Sequence, residues 1–395
     1  MKILMINSVC GIKSTGRICT DLAGALMQKG HEVRIAYGRE EVPEAVRPLA
    51  VPIGSKAEVY AHGGVSMLFD GAGLGSVRAT KRFLAWVREY DPDIIHLHNL
   101  HGYYINLPLL FDYLKTARKK VIWTLHDCWP FTGHSPSCDQ VGCEKWRSGC
   151  GGCPLKGDYP RSFTDFSRRN FRWKREAFLG IEDMTLVSPS KWLAGLAAQS
   201  FLGAYPVKVI PNGIDESRFR PLGDGFKREA GIEKMILAVS GNWYDRRKGL
   251  PDILRLSQML PGNCKIVLAG LTPAQMEGLP KNVLGLPKTN SVSELAKLYS
   301  AADVLLNPTY SDNFPTVNLE ALCCGTPVLT YRTGGSPEPI EDGCGAVVDQ
   351  GDLDAVLWEL PNCMAAKEHV TEIASDFQCR FSRRRAEENY LSLYL

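Results

Sequence analysis

Apolar positions along this chain gather into short runs separated by stretches of helical periodicity. KILMIN (2–7) has the continuous apolar character of a strand buried on both faces. The loop SVCGIKSTG follows it, then a helical pattern from Arg17 to Lys29 stopped by Gly30, then the strand-like HEVRIAYG. Strand, glycine-bearing loop, helix and strand in that order open a parallel α/β sheet. Further strands are predicted at DIIHLH (93–98) and KVIWTLH (120–126), with a helix from Pro108 to Lys119 between them. Residues from about 40 to 75 are Gly-rich and patternless, and no element is assigned there.

A second series of short strands starts at TLVSPS (185–190). It continues through KVIPNG (208–213), KMILAVSG (234–241), CKIVLAG (264–270), DVLLNP (303–308), TPVLTY (326–331) and GAVVD (345–349), with helical patterns between most of them. Two such series predict two doubly wound α/β domains, 1–180 and 181–380. A last helix near 382–395 is expected to return to the first domain. Ligands of such sheets bind beyond the C-terminal strand ends, so a central cleft faced by both domains is the expected site.

The chain length of 395 residues agrees with two domains rather than one core. With 45% apolar and 23% charged residues the composition is that of an ordinary globular protein, and a formal net charge of +3 gives no sign of a nucleic-acid partner. No run of about 18 apolar residues offers a membrane span, and MKILMINSV lacks the features of a signal peptide. A cytoplasmic location is therefore expected, with the thirteen cysteines reduced.

The densest chemistry lies in SDNFPTVNLEALCCGTPVLTYRTGGSPE (311–338). Pro315 favours a helix start, and the N–H groups of Thr316 and Val317 then point outward as an anion seat. Glu320 lies one turn deeper on the same face as Thr316, suited to accept from ribose hydroxyls, and Asp312 on the loop side could hold another sugar. Gly334 and Gly335 allow close backbone approach to a ligand. Taken singly, Asp312 could equally be a turn residue and Glu320 a solvated one.

This stretch resembles retaining glycosyltransferases of family 4, whose signature is two acids separated by seven residues followed by a Cys-Gly-Thr-Pro-Val-like segment. Here Asp312 stands where that family usually has Glu. VIPNGID (209–215), VSPSKWLA (187–194), the segment 286–309 and the C-terminal FSRRRAEENYLSLY are also similar. The resemblance implies a GT-B fold, two Rossmann-like domains with a nucleoside-diphosphate sugar held mainly by the second. It implies retention through a front-face displacement in which the donor's own phosphate takes the acceptor proton, with no cofactor required. Asn313, Phe314, Pro315, Thr316 and Val317 are then donor-binding candidates.

The departing diphosphate needs cations. Arg246, Arg247 and Lys248 follow the strand at 234–241, and Lys248, followed by Gly249, matches a lysine of the family; a solvated basic loop is the alternative. In the first domain, Gly16 matches a family glycine loop, and His126 sits where members carry a histidine that contacts the donor sugar. Asp127 is expected to orient it or a helix start, and His98 is a second candidate. Asp91 and Asp93 match a D-x-D metal motif but precede a strand, away from the expected cleft.

Cys138, Cys143, Cys150 and Cys153, within a Cys-rich insert at about 134–154, are candidate ligands of a structural zinc, with His134 a substitute; small-core packing is the alternative. HDCWPFTGH and GCEKW-x-x-GC-x-x-CP resemble a subgroup of family 4 acting in colanic-acid-type exopolysaccharide assembly. The acceptor implied is a glycan or a polyprenyl-diphosphate-linked glycan. Basic and aromatic residues interleave in SRRNFRWKREAF (167–178) and VRATKRFLAWVR (77–88), as for contact with the inner membrane face. The rival readings are a nucleotide-sugar epimerase on the same plan and a non-catalytic nucleic-acid binder using the cysteines.

Overall fold

A computed structural model describes residues 1–289 and 291–394. Asn290, inside the family-like segment 286–309, and Leu395, at the end of the predicted last helix, lie outside the described residues. The chain divides into two compact units: Met1–Ile210 with the last residues from Glu387, and Pro211–Ala386.

The first unit is built on β1 (Lys2–Asn7), β2 (Glu32–Tyr37), β3 (Ala50–Pro52), β4 (Ile94–Leu97), β5 (Lys120–Thr124), β6 (Met184–Ser188) and β7 (Val207–Val209). They pair in parallel in the order β3-β2-β1-β4-β5-β6-β7. Side chains alternate across a strand, so a sheet covered on both faces needs apolar residues at nearly every position. All four residues of β4 are buried, as are Val121 to Thr124 of β5. Ile95, Leu97, Val121 and Trp123 join one core and Ile3, Met5, Ile94 and Ile122 the other, each buried apolar side chain contributing ~1.5–3 kcal/mol.

The second unit repeats the plan with β8 (Lys234–Val239), β9 (Cys264–Leu271), β10 (Val283–Pro287), β11 (Val304–Asn307), β12 (Val328–Tyr331) and β13 (Gly345–Val348). All pairs are parallel, in the order β10-β9-β8-β11-β12-β13. The strand order reverses between β1 and β4 in one sheet and between β8 and β11 in the other. Those are the crevices where doubly wound sheets hold ligands.

Two expectations change. The strands predicted at 185–190 and 208–213 appear as β6 and β7 and pair with the first sheet, so the boundary falls after Ile210 rather than near 180. Both are short parallel strands following helices, and a local pattern does not say which sheet a strand joins. The unassigned region holds β3 and a helix, Lys56–Phe69, whose only buried residues are His62 and Ser66. The last helix is Arg383–Tyr394, with Tyr390 and Tyr394 in a core of the first unit.

Candidate functional site

In the second unit, the loops after β8 and β11 meet at the switch point. Gly249 adopts φ 69° as the N-cap of the helix Leu250–Ser257, and a Cβ there would lie 2.2 Å from the Pro308 carbonyl oxygen. Only glycine allows so close an approach. The amide of Tyr310 donates to the Arg247 carbonyl at 2.7 Å and the Thr309 hydroxyl donates to the same oxygen at 3.1 Å. With the loops pinned, Lys248 Nζ donates to Asp312 Oδ2 at 2.7 Å, both side chains partly exposed.

Arg247 is turned to Asp245, to which Nη2 donates at 2.7 Å. Burial pushes the Asp245 carboxyl up, but the hydrogen bonds and charge of Arg247 outweigh this and hold it below the usual carboxylate range. Arg246 is exposed. The structure thus joins Lys248 to Asp312 and pairs Arg247 with Asp245.

Pro315 is the N-cap of the helix Thr316–Cys323 and brings its first N–H groups to the end of β11. Asn313, Thr316 and Val317 are half-buried there, whereas Phe314 is packed in the core beside Phe381. Asn318, fully buried, accepts from Asn307 Nδ2 and donates to the Ser336 carbonyl, tying the helix start to β11 and to the Gly334-Gly335 turn. Gly334, at φ 54°, would place a Cβ 1.9 Å from the Asp312 carbonyl oxygen, and the Gly335 amide donates to that oxygen at 3.1 Å. The close approach these glycines permit is to the chain's own Asp312 backbone. Glu320 accepts from the Tyr299 hydroxyl at 2.8 Å. Burial and the neighbouring Glu320 raise the Tyr299 phenol well above its ordinary value, so it stays a donor.

In the first unit, Gly16 sits in the opening turn of the helix Lys13–Gln28, against the loop that follows β1. A Cβ there would lie 3.1 Å from Val9 Cγ2, and the Gly16 carbonyl accepts from the Gly11 amide, so its smallness serves that turn. The ends of β4 and β5 bring three histidines together. His98 Nδ1 and His126 Nε2 are 3.2 Å apart, and His96 Nε2 and Thr124 Oγ1 2.8 Å apart. Burial lowers His126 to about 4 and His96 to about 3; His98 is lowered by burial and then by its two neighbours. All three rings are therefore neutral near pH 7. The His98 Nε2 is buried and has no partner among the described residues.

The Asp127 carboxylate accepts from the Trp129 amide at 2.9 Å, faces His101 Nε2 at 2.7 Å, and its charge acts on the neighbouring His126. Burial would raise this carboxyl, but the His101 ring and its hydrogen bond prevail and hold it low. A carboxylate only accepts, so His101 Nε2–H donates to it, and His101 Nδ1 lies 2.8 Å from the Tyr159 hydroxyl. His101, Tyr159 and Tyr299 carry no local sequence signal because each acquires its role through a contact distant in sequence, and Asp245 gains its role from the turn it makes with Arg247. Asp93 accepts from the Lys2 amide and Asp91 pairs with Lys119, which leaves the D-x-D pair in structural work.

Cys138, Cys143, Cys150 and Cys153 line one small, mostly apolar cavity with His134. The Gly133 amide donates to Cys150 Sγ, and His134 Nδ1 bonds Asp70 at 2.6 Å. Among the described residues no group of three or more His, Cys, Asp or Glu side chains is arranged to hold a metal ion. As placed, the thiols do not form the tetrahedral set that structural zinc requires.

The sequence profile described as Glycosyltransferase Family 4 matches residues 15–218, and one described as Glycosyl transferases group 1 matches residues 226–374. A putative colanic acid biosynthesis glycosyl transferase of Escherichia coli, WcaC, is 24% identical over 414 aligned positions, spanning 100% of this chain and 99% of the relative. The fold is similar to sucrose-phosphate synthase from Thermosynechococcus elongatus, with TM-score 0.70 and 18% identity over 100% of this chain and 98% of that one. It is also similar to Anabaena HepE in complex with UDP, with TM-score 0.65 and 15% identity over 99% of each chain.

Proposed function

This chain belongs to glycosyltransferase family 4, and on that premise we propose that it moves a sugar, with retention, from a nucleoside-diphosphate sugar to a glycan acceptor in surface polysaccharide assembly. It is a glycosyltransferase with the GT-B fold. The observation that carries the donor reading is the 2.7 Å contact of Lys248 with Asp312, made by two loops that meet at a strand-order switch beside a helix N-terminus. A cation and outward N–H groups at such a crevice suit a diphosphate. HepE, of similar fold, binds UDP, which supports a nucleotide donor.

In this reading the diphosphate rests on the Thr316 and Val317 amides, and Lys248 shifts from Asp312 to the leaving phosphate as negative charge develops there. Glu320, steadied by Tyr299, accepts from the ribose hydroxyls. The bond between the anomeric carbon and the phosphate oxygen breaks as the acceptor oxygen attacks the same face, and the acceptor proton passes to the departing phosphate. The protein supplies alignment and charge. WcaC's printed role in colanic acid biosynthesis supports a polysaccharide acceptor. Neither the epimerase nor the nucleic-acid reading draws support from the comparisons.

The test is incubation with a panel of nucleoside-diphosphate sugars and glycan acceptors, reading nucleoside diphosphate release and the anomeric configuration of the product by NMR. Acceptor-dependent release with retained configuration is expected, and it should be lost in Lys248→Met. Isomerised sugar without acceptor, or an inverted product, would contradict the proposal.

A further inference from the structure

The helix Lys56–Phe69 is folded inside out. It buries His62 and Ser66 and turns Tyr60, Val65, Leu68 and Phe69 to solvent, with Tyr60 80%, Phe69 55% and Leu68 52% exposed. A helix on a globular protein ordinarily buries its apolar stripe. The inward His62 is satisfied: the Gly75 amide donates to His62 Nε2 at 3.0 Å and His62 Nδ1 bonds Ser76 at 2.9 Å.

The exposed face is held firmly. The segment after the cysteine cavity is bonded along the end of this helix: the Phe163 amide donates to the Met67 carbonyl at 2.8 Å, and the Thr164 hydroxyl to the Leu68 carbonyl at 2.8 Å. Arg169 donates to the carbonyls of Phe69 and Asp70, and the buried Asp70 carboxylate accepts from the Phe166 amide. That junction adds Phe163, 59% exposed, and Phe166 to the apolar surface. Cations surround it. The Arg161 guanidinium lies 5.8 Å from the Phe163 ring centroid and that of Arg169 lies 4.5 Å from Phe166. On the adjoining helix Ser167–Phe178, Arg168, Arg172 and Arg175 line one groove.

A contiguous apolar surface rimmed by polar groups marks an interaction site. Exposed aromatics flanked by cations on one rigid face match the requirements of a lipid interface, where rings enter the headgroup region and arginines meet anionic phosphates. In the segment 156–176 the exposed basic residues are Lys156, Arg161, Arg168, Arg169, Arg172 and Arg175; the exposed acids are Asp158, Asp165 and Glu176, of which Glu176 lines the arginine groove and Asp165 is engaged by the Cys153 and Ser167 amides. We propose that this face of the first unit docks on an anionic lipid bilayer. In the other basic and aromatic stretch the aromatics are engaged within the fold: Phe83 is buried and Trp86 is stacked between Phe83 and Tyr90. No helix among the described residues is long and apolar enough to cross a membrane, so the contact is peripheral.

The test is co-sedimentation of the full chain with vesicles of mixed phosphatidylglycerol and phosphatidylcholine, against vesicles of phosphatidylcholine alone. Binding is expected to need phosphatidylglycerol and to weaken with salt. The pair Leu68→Ser and Phe163→Ser should lower partitioning tenfold or more, and Arg161→Ala and Arg172→Ala about fivefold each. These positions are exposed, and retained thermal midpoints together with retained stabilisation by nucleoside diphosphate will show that fold and donor site are intact. Failure of the parent protein to sediment with phosphatidylglycerol vesicles, or variants that sediment as the parent does, would overturn the proposal. So would a parent dimer that the Leu68→Ser, Phe163→Ser variant converts to monomer without any lipid binding, since the face would then belong to a second copy.

Discussion

Lys248 and Asp312, 64 positions apart, are joined by a 2.7 Å hydrogen-bonded ion pair across the crevice between β8 and β11. A partly exposed pair of this kind contributes only ~0–1 kcal/mol to stability. Its significance is positional, because it holds the cation where a leaving diphosphate would collect charge. Lys248→Met should therefore cut transfer by about a hundredfold or more while moving the thermal midpoint by no more than a few degrees. Rate and melting measurements on one preparation separate the two effects. Asp312→Glu should retain more activity than Asp312→Ala, since a carboxylate one methylene longer still reaches the lysine.

Tyr299 and Glu320 form the second pair, 2.8 Å apart. The predicted consequence of Tyr299→Phe is a higher KM for the donor, with kcat less affected, because ribose contacts are made alike in ground and transition states. A hydrogen bond to a charged group is worth ~1.5–3 kcal/mol, so the rise should be about tenfold or more. An unchanged KM would remove Tyr299 from the site.

The buried histidines set a pH dependence. His96, at about 3, and His126 and His62, both at about 4, titrate below the ordinary 6.5, each chiefly through burial. Between those values and 6.5 the unfolded chain binds more protons than the folded one, so stability rises with pH. It should fall from about pH 6.5 down toward 4, by up to ~1.4 kcal/mol per pH unit for each histidine. Asp127, whose folded value is depressed, contributes stability above the usual carboxylate range that is lost at still lower pH. Urea midpoints at pH 7 and 5 measure the slope, and His62→Gln should flatten it.

Chelation is a further check. With the thiols packed around a small cavity rather than arranged as a ligand set, dialysis against a strong chelator should leave the melting temperature and transfer rate unchanged. A drop restored by zinc would mean that the cysteines close around the ion when it binds.

Much of the fold was legible because strands of a parallel sheet covered on both faces must be apolar throughout, as in β4 and β5. The helix Lys56–Phe69 was not, since its apolar residues face outward and its buried ones are His62 and Ser66, the reverse of the pattern that marks a helix. The boundary after Ile210 was hidden because β6 and β7 look like the strands on either side of it. At the candidate site, Asp312, Glu320 and Lys248 stood out by spacing and neighbours. Their partners did not: that Gly249 packs on Pro308, or that Asp127 bonds His101, is decided by loops meeting in space.

The most direct measurement is a crystal structure of the chain with a bound nucleoside diphosphate. Its two phosphates should lie against the Thr316 and Val317 amides, with Lys248 drawn from Asp312 toward them and the ribose hydroxyls at Glu320. Density for the nucleotide away from residues 312–320, with the Lys248–Asp312 pair undisturbed, would contradict the site described here.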